Sequence, residues 1–70
     1  MHRYRISNLE LFESYVFGAD CFLALWPEIE TTGILLKKYA DCYYVVDANG
    51  EIVNDTAFFT ESEMQYLVEC

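Results

Sequence analysis

Apolar residues recur every three or four positions in the segment that follows Asn8. The repeat runs through Leu9, Phe12, Val16, Ala19, Leu23 and Trp26. Because this spacing places the apolar side chains on one face of an α-helix, it predicts an amphipathic helix over residues 9–26 with Asn8 as its N-cap. Gly18 lies inside this helix at a cost of about 1 kcal/mol relative to alanine. A break at Gly18, or a hairpin over residues 15–26, is the alternative.

The segments on either side predict a short strand and a second helix. Tyr4 and Ile6 alternate with two arginines, which is the period of a strand. Pro27 suits the first turn of a helix, and the residues after it carry glutamates early and lysines late, as the helix dipole favours. We therefore predict a helix over residues 27–40, with an extended segment over residues 34–39 as the alternative.

The middle of the chain has the pattern of a β-hairpin. Residues 42–46 are rich in aromatic and β-branched side chains. The pair Asn49 and Gly50 separates them from a second short apolar run, and Asn-Gly tolerates the positive φ angles of a tight two-residue turn. The sequence thus predicts a hairpin over residues 42–54.

A helix start is visible near the C-terminal end. Thr60 and Glu63 have the spacing of a capping box, in which each side chain bonds the backbone amide of the other residue. Phe59 and Met64 occupy the hydrophobic-staple positions around this box. The sequence predicts a helix over residues 61–69.

The predicted elements belong to the α+β class. A short antiparallel sheet, built on the hairpin over residues 42–54, would carry two to three helices packed on one side. The chain has 70 residues, which is the size of one domain, so we expect a single compact domain over residues 1–70. A domain this short buries only about 60% of the surface of its unfolded chain, and a partner chain would help to stabilise it.

The composition separates this chain from several classes of protein. Hydrophobic residues make up 54% of it, which is too many for a disordered acidic tail. Twelve acidic residues against four basic ones give a formal net charge of −8. Since affinity for nucleic acid comes from cations that neutralise phosphates, we do not expect this protein to bind nucleic acid directly.

The chain lacks the patterns of a secreted or membrane protein. Its first residues do not form the apolar stretch of a signal peptide, and its most apolar run, residues 15–26, is shorter than the roughly 20 residues that span a bilayer. Cys21, Cys42 and Cys70 are odd in number and widely spaced, which favours reduced thiols. We expect a cytoplasmic protein without membrane contact.

Residues with the potential for catalysis or metal binding are few. His2 is the one histidine, and no nucleophile elbow, P-loop or zinc motif is present, so we expect neither an enzyme nor a cofactor. The acids in residues 47–55 resemble the start of an EF-hand loop, but Ile52 and Phe58 stand where that loop needs Gly and Glu. We expect a solvated turn there and no metal site.

The first predicted helix carries a candidate protein interface. At about 100° per residue, Glu10, Glu13 and Asp20 fall within about 80° of one another, and Phe17 lies in the same stripe. An aromatic side chain ringed by polar groups is typical of protein interfaces. The alternative is an ordinary solvated helix face with one exposed apolar residue.

The tyrosines suggest a second part of the same interface. There are six of them, more than so small a core can bury, and a tyrosine offers apolar area with a polar tip. We take Tyr43 and Tyr44 as interface candidates. The alternative is that they pack on an exposed part of the sheet.

These features favour a protein that acts by binding another protein. In size, acidity and lack of catalytic motifs the chain resembles phage-encoded inhibitors of host defence, such as anti-CRISPR and anti-restriction proteins. The resemblance is one of profile and assigns no residue a role. It implies an inhibitor that blocks a nucleic-acid-binding protein of the host by steric or charge mimicry. The alternative is a homodimeric interaction or scaffold module that uses an aromatic surface, without nucleic-acid mimicry.

Overall fold

The computed structural model describes residues 2–70, which form five antiparallel strands and two α-helices. The strands are β1 (His2–Ile6), β2 (Ile34–Tyr39), β3 (Cys42–Val45), β4 (Phe58–Thr60) and β5 (Leu67–Glu69), and the helices are α1 (Leu9–Tyr15) and α2 (Ala19–Leu25). Short 3₁₀ helices at Pro27–Glu30 and Glu63–Tyr66 lead into β2 and β5. The strand order is β4-β3-β2-β1-β5. The α+β class is confirmed, but the sheet is larger and the helices are fewer than predicted.

The helix predicted over residues 9–26 is divided in two. Asn8 caps α1 as predicted, since its side-chain oxygen accepts a hydrogen bond from the Leu11 amide at 3.1 Å. The helix ends because Val16 is extended, and Gly18 then takes the left-handed conformation at φ 73° before α2 begins. The alternative of a break at Gly18 is therefore the observed one. The prediction of one continuous helix is wrong, and so is the hairpin over residues 15–26.

The helix predicted over residues 27–40 is also wrong. Pro27 begins a helix, but it is a 3₁₀ turn of four residues. Gly33 has a φ of 90°, and beyond it the alternating burial of β2 replaces the helical period: Ile34 and Leu36 are buried, while Leu35 is half-buried. The extended alternative over residues 34–39 is the correct one.

The hairpin predicted over residues 42–54 is present in a shorter form. The Gly50 amide donates to the Asp47 carbonyl and the Asp47 amide donates to the Glu51 carbonyl, each at 2.9 Å. Beyond this turn Val46 bridges Ile52, and the Val53 amide donates to the Val45 carbonyl at 3.1 Å. The predicted pairing does not extend to residues 42–44, because there β3 pairs with β2 on one side and with β4 on the other.

The helix predicted over residues 61–69 is replaced by a turn and a strand. Its capping box does form, but the helix it starts is a single 3₁₀ turn of four residues. The chain then becomes β5, which pairs with β1 so that Ile6 lies opposite Leu67. Both of these side chains are buried, and the pairing gives hydrogen-bond partners to the second edge of β1. This long-range pairing outweighs the local helix signal.

Both helices contribute to a core on one face of the sheet. The most deeply buried large side chains are Phe12, Phe59, Ile29 and Leu36. Phe59 is at the centre of an aromatic group, because its ring lies 4.1 Å from the ring of Phe22 and 6.0 Å from that of Phe12, measured between centroids. Both helices therefore pack against β4, the strand at one edge of the sheet.

Within residues 2–70, neither α-helix packs against the other face of the sheet. Directly paired residues share a face of a sheet, and the register places on the open face the cations Arg3, Arg5 and Lys37 and the aromatic residues Tyr39, Tyr44 and Phe58. None of these six is buried. Three of the four cations of the chain therefore lie on a face to which the strands contribute no carboxylate.

Candidate functional site

An apolar groove of about 500 Å³ lies between α2 and the edge strand β4. One wall is formed by α2 and the residues that flank it: Phe17, Gly18, Cys21, Phe22, Leu25 and Trp26. The other wall comes from β4 and the segments next to it: Asn54, Thr56, Ala57, Phe58, Thr60 and Glu63. A groove of this size and apolar character is typical of a ligand or peptide site.

The helix wall presents large apolar side chains to solvent. Phe17 is 91% exposed and Leu25 is 58% exposed, and the Cys21 thiol lies between them in sequence and is also exposed. Burying a side chain such as Phe or Leu contributes about 1.5–3 kcal/mol, and the fold itself does not gain this contribution from Phe17. Phe17 lies in the turn between α1 and α2, next to the left-handed Gly18, and is exposed between two buried residues, Val16 and Ala19.

The Glu63 carboxylate ties the two walls together. One of its oxygens accepts a hydrogen bond from the Phe17 amide at 2.8 Å and the other accepts from the Thr60 amide at 2.9 Å. The Thr60 hydroxyl in turn accepts from the Glu63 amide at 3.4 Å. The capping box predicted from sequence is thus confirmed, and it also fixes the backbone of Phe17 at the end of the groove.

Glu63→Gln is expected to lower the free energy of unfolding by about 1 kcal/mol. A glutamine side chain has one acceptor oxygen, so one of the two backbone amides loses its partner. Hydrogen exchange at the Phe17 amide should accelerate, and urea unfolding measures the stability. Glu61→Gln is the matched control: the Glu61 carboxylate meets the exposed Lys38 at 3.5 Å, and its loss should change the stability by less than about 0.5 kcal/mol. Equal losses in both variants would contradict the role of Glu63.

The rim of the groove is anionic. Glu63 lines it, and Asp20 and Asp55 each lie next to a lining residue in sequence. Among the described residues, no lysine or arginine lines this groove or adjoins a lining residue in sequence. Lys38 is the cation that comes near, and it pairs with Glu61. The site therefore combines apolar walls with carboxylates at its opening.

One of the six interface residues predicted from sequence, Phe17, lines the groove. Asp20 is exposed and adjoins the lining residue Cys21 in sequence, but it does not line the groove itself. Glu10 and Glu13 are exposed on α1 and do not line it. The helical wheel that put all three acids in one stripe assumed a continuous helix, and the break at Gly18 removes that basis.

The two predicted tyrosines lie on opposite faces of the sheet. Tyr44 is on the open face, where its ring lies 5.4 Å from that of Phe58 on the groove wall. Tyr43 packs against the core on the helix side, with the Lys38 ammonium 5.7 Å from its ring. Adjacent residues of a strand always point to opposite faces, so these two cannot share one contact surface.

Several groove residues were not singled out from the sequence. Cys21 and Leu25 are four positions apart, which places them on one side of α2, and this spacing was an available signal. Ala57 and Phe58 gave no such signal, because their place in the groove depends on the pairing of β4 with β3.

The acidic loop after β3 is explained by its own turn. One carboxylate oxygen of Asp47 accepts from the amides of Asn49 and Glu51 at 2.9 and 3.0 Å. Within residues 2–70, no three His, Cys, Asp or Glu side chains come close enough to hold a metal ion. The same residues contain no helix of the length and hydrophobicity needed to cross a membrane.

Comparison with protein-family models, with curated proteins and with solved structures gave no match to this chain.

Proposed function

We propose that this protein is a small acidic protein-binding module whose groove between α2 and β4 receives apolar side chains of a partner protein. The observation that supports this most directly is the 91% exposed Phe17 at the end of an apolar groove of about 500 Å³. Aromatic anchors beside well-formed apolar pockets carry most of the binding energy in protein interfaces. A polar and charged rim, as here, is the usual surrounding of such a centre.

The charge of the molecule supports a cationic partner surface. A net charge of −8 attracts a basic protein over distances of about a Debye length and raises the rate of encounter. The same charge is carried by about four base pairs of duplex DNA, at one charge per roughly 1.7 Å. We therefore propose that the module inhibits a nucleic-acid-binding protein by occupying its basic surface.

A second candidate function is a homodimeric interaction module that uses the open face of the sheet. Tyr39 and Tyr44 are 6.1 Å apart between ring centroids, Phe58 continues the same aromatic row, and the Lys37 ammonium lies 5.2 Å from the ring of Tyr39. Such a dimer would bring two chains of like charge together, so its stability should rise with added salt. Sedimentation at low and high salt distinguishes it from binding to a basic partner, which weakens as salt is added.

The groove is tested by selection of ligands from a random-peptide display library on the immobilised protein. We expect the selected peptides to combine Lys or Arg with aromatic or aliphatic residues and to lose affinity as salt is raised. Leu25→Ala and Phe17→Ala should each lower the affinity of these peptides about tenfold, the equivalent of 1.4 kcal/mol. Leu11→Ala is the matched control, because Leu11 is a similarly exposed leucine on α1, away from the groove. Equal weakening by the Leu11 and Leu25 variants would count against the groove.

Two charge-reversal variants distinguish the effect of a carboxylate near the groove from the effect of the net charge of the molecule. Asp20→Lys and Glu13→Lys change the net charge equally, but of the two only Asp20 adjoins a groove-lining residue, Cys21, in sequence. We expect Asp20→Lys to weaken a selected basic peptide at least tenfold and Glu13→Lys to have a smaller effect. Equal effects would mean that overall charge, not the rim, attracts the ligand.

A further inference from the structure

We infer that the groove receives its partner as an added β-strand on the free edge of β4, and that the bound segment alternates apolar residues with Lys or Arg. This inference rests on the proposed function and specifies the conformation and chemistry of the occupant. It is carried by three observations: the direction of the backbone groups of β4, the position of α2 over one side of the edge, and the charge of the rim.

The backbone of β4 offers unused hydrogen-bonding groups at its outer edge. In an antiparallel pair, opposed residues alternate between those that exchange hydrogen bonds and those whose groups point away. The Thr60 amide donates to Glu63 rather than to β3, so the opposed pair of Cys42 and Thr60 is one that points away. By alternation, Phe59 bonds to β3, and the amide and carbonyl of Phe58 point outward into the region of the groove.

Part of this edge is protected and part is open. Short strands, lysine, proline or a covering segment commonly block an edge; β4 is only three residues long, but it carries no lysine or proline. Glu63 covers the edge at Thr60. Next to it, Phe58 is 38% exposed and lines the groove. An incoming strand therefore finds a free amide and carbonyl beside an apolar wall.

The position of α2 fixes the sequence period of the segment that can bind. Successive side chains of a strand point to opposite faces, and α2 stands over one face of the edge only. Every second side chain would thus enter the groove and contact Leu25 and Phe17, while the others remain at the rim or in solvent. Apolar residues fit the first positions. Lys or Arg fits the second, because Glu63 lines the groove and, among the described residues, no lysine or arginine lines it or adjoins a lining residue in sequence.

The same charges argue against a second copy as the occupant. Two chains would bring together 16 net negative charges, from −8 for each. The segments that a second copy could offer as an edge, such as β4 itself, carry no cation for the rim. A basic segment of another protein satisfies both the apolar wall and the carboxylates.

The test uses two synthetic peptides of identical Leu and Lys composition. In one the leucines alternate with lysines, and in the other they are spaced at the helical period of three and four. By fluorescence anisotropy, we expect the alternating peptide to bind at least tenfold more tightly than the helical one.

Two further versions of the alternating peptide carry N-methyl groups on one or the other alternate set of backbone nitrogens. One set faces β4 and the other faces away, so we expect one version to lose binding at least tenfold and the other to retain it. The Phe58 amide should become protected from hydrogen exchange on binding.

The outcomes separate the inference from the proposed function. Equal binding of the two spacings, or equal behaviour of the two N-methylated versions, would overturn strand addition while leaving the groove as a binding site. If neither peptide binds and the display selection yields no groove-dependent ligand, the proposed function fails as well. Leu25→Ala should abolish the preference for the alternating peptide and Leu11→Ala should preserve it.

Discussion

Phe59→Ala is expected to lower the free energy of unfolding by about 3–5 kcal/mol. The side chain is fully buried, and its ring contacts those of Phe22 and Phe12 from the two helices. Its removal takes away buried apolar area and leaves a cavity that the neighbouring rings cannot close. A domain of this length has a total stability on the order of 4–10 kcal/mol. We therefore expect a large shift of the urea midpoint or outright unfolding, measured by far-UV circular dichroism.

Phe17→Ala is the matched control for this variant. It removes the same side chain from a position that is 91% exposed, and it keeps the backbone amide that donates to Glu63. Its stability should stay within about 0.5 kcal/mol of the parent protein. Should Phe59→Ala not fold, Phe59→Leu gives a measurable loss on the order of 1.5 kcal/mol. A Phe59 variant as stable as the Phe17 variant would contradict the assigned core.

Gly33→Ala is expected to lower the free energy of unfolding by about 3 kcal/mol or more. Gly33 has a φ of 90°, which costs an L-residue about 1–3 kcal/mol. A Cβ at this position would also lie 2.6 Å from the backbone carbonyl oxygen of Tyr4 and 3.0 Å from the Cγ of Arg3. Both neighbours belong to β1, so relief of the clash would require β1 to move away from the start of β2. Thermal and urea unfolding measure the loss.

Gly18→Ala is the matched control for Gly33→Ala, because it measures the cost of a positive φ without the steric clash of a new Cβ. Gly18 also has a positive φ, 73°, but a Cβ there meets no atom within 4 Å. We expect a loss of about 1–2 kcal/mol, the cost of the left-handed conformation for an L-residue. The difference between the two variants is the cost of the contact with β1. A Gly33→Ala protein no less stable than Gly18→Ala would show that this close approach is not part of the folded state.

Local signals in the sequence were reliable for helix starts and turns, and less so for the length and type of the element that begins there. The Asn8 cap and the bonds between Thr60 and Glu63 form as their sequence patterns predict. The Asn49–Gly50 pair also marks a turn, but that turn extends from Asp47 to Glu51, and Gly50 has a positive φ whereas Asn49 does not. Each depends on residues a few positions apart. A capping group satisfies the first amides of a helix in the same way whether the helix lasts one turn or three.

Element lengths could not be predicted because they depend on pairing across the chain. Leu67 lies opposite Ile6, and Ile34 lies opposite Tyr4. These pairings bury apolar side chains and satisfy both edges of β1, which a local helix at either segment would leave unpaired. The strand alternation of Ile34 and Leu36 is visible in the sequence, but so is a helical stripe, and only the position of β1 decides between them.

The two walls of the groove differ in how far the sequence could predict them. Phe17 was singled out on a helical wheel over residues 9–26, and it lines the groove even though α1 ends before it. The opposite wall, which includes Phe58, depends on the pairing of β4 with β3. The separation of Tyr43 from Tyr44 follows from strand geometry and could have been predicted once the strand was accepted.

The strands distribute their charged side chains unequally between the two faces of the sheet. Arg3, Arg5 and Lys37 lie on the open face, whereas the one carboxylate of the strands, Glu69, lies on the other. A cationic surface attracts the net negative charge of this molecule and repels the three cations of the open face, so the molecule experiences a torque as well as an attraction. It would rotate during approach until the sheet points away, so that the helical side with its groove arrives first.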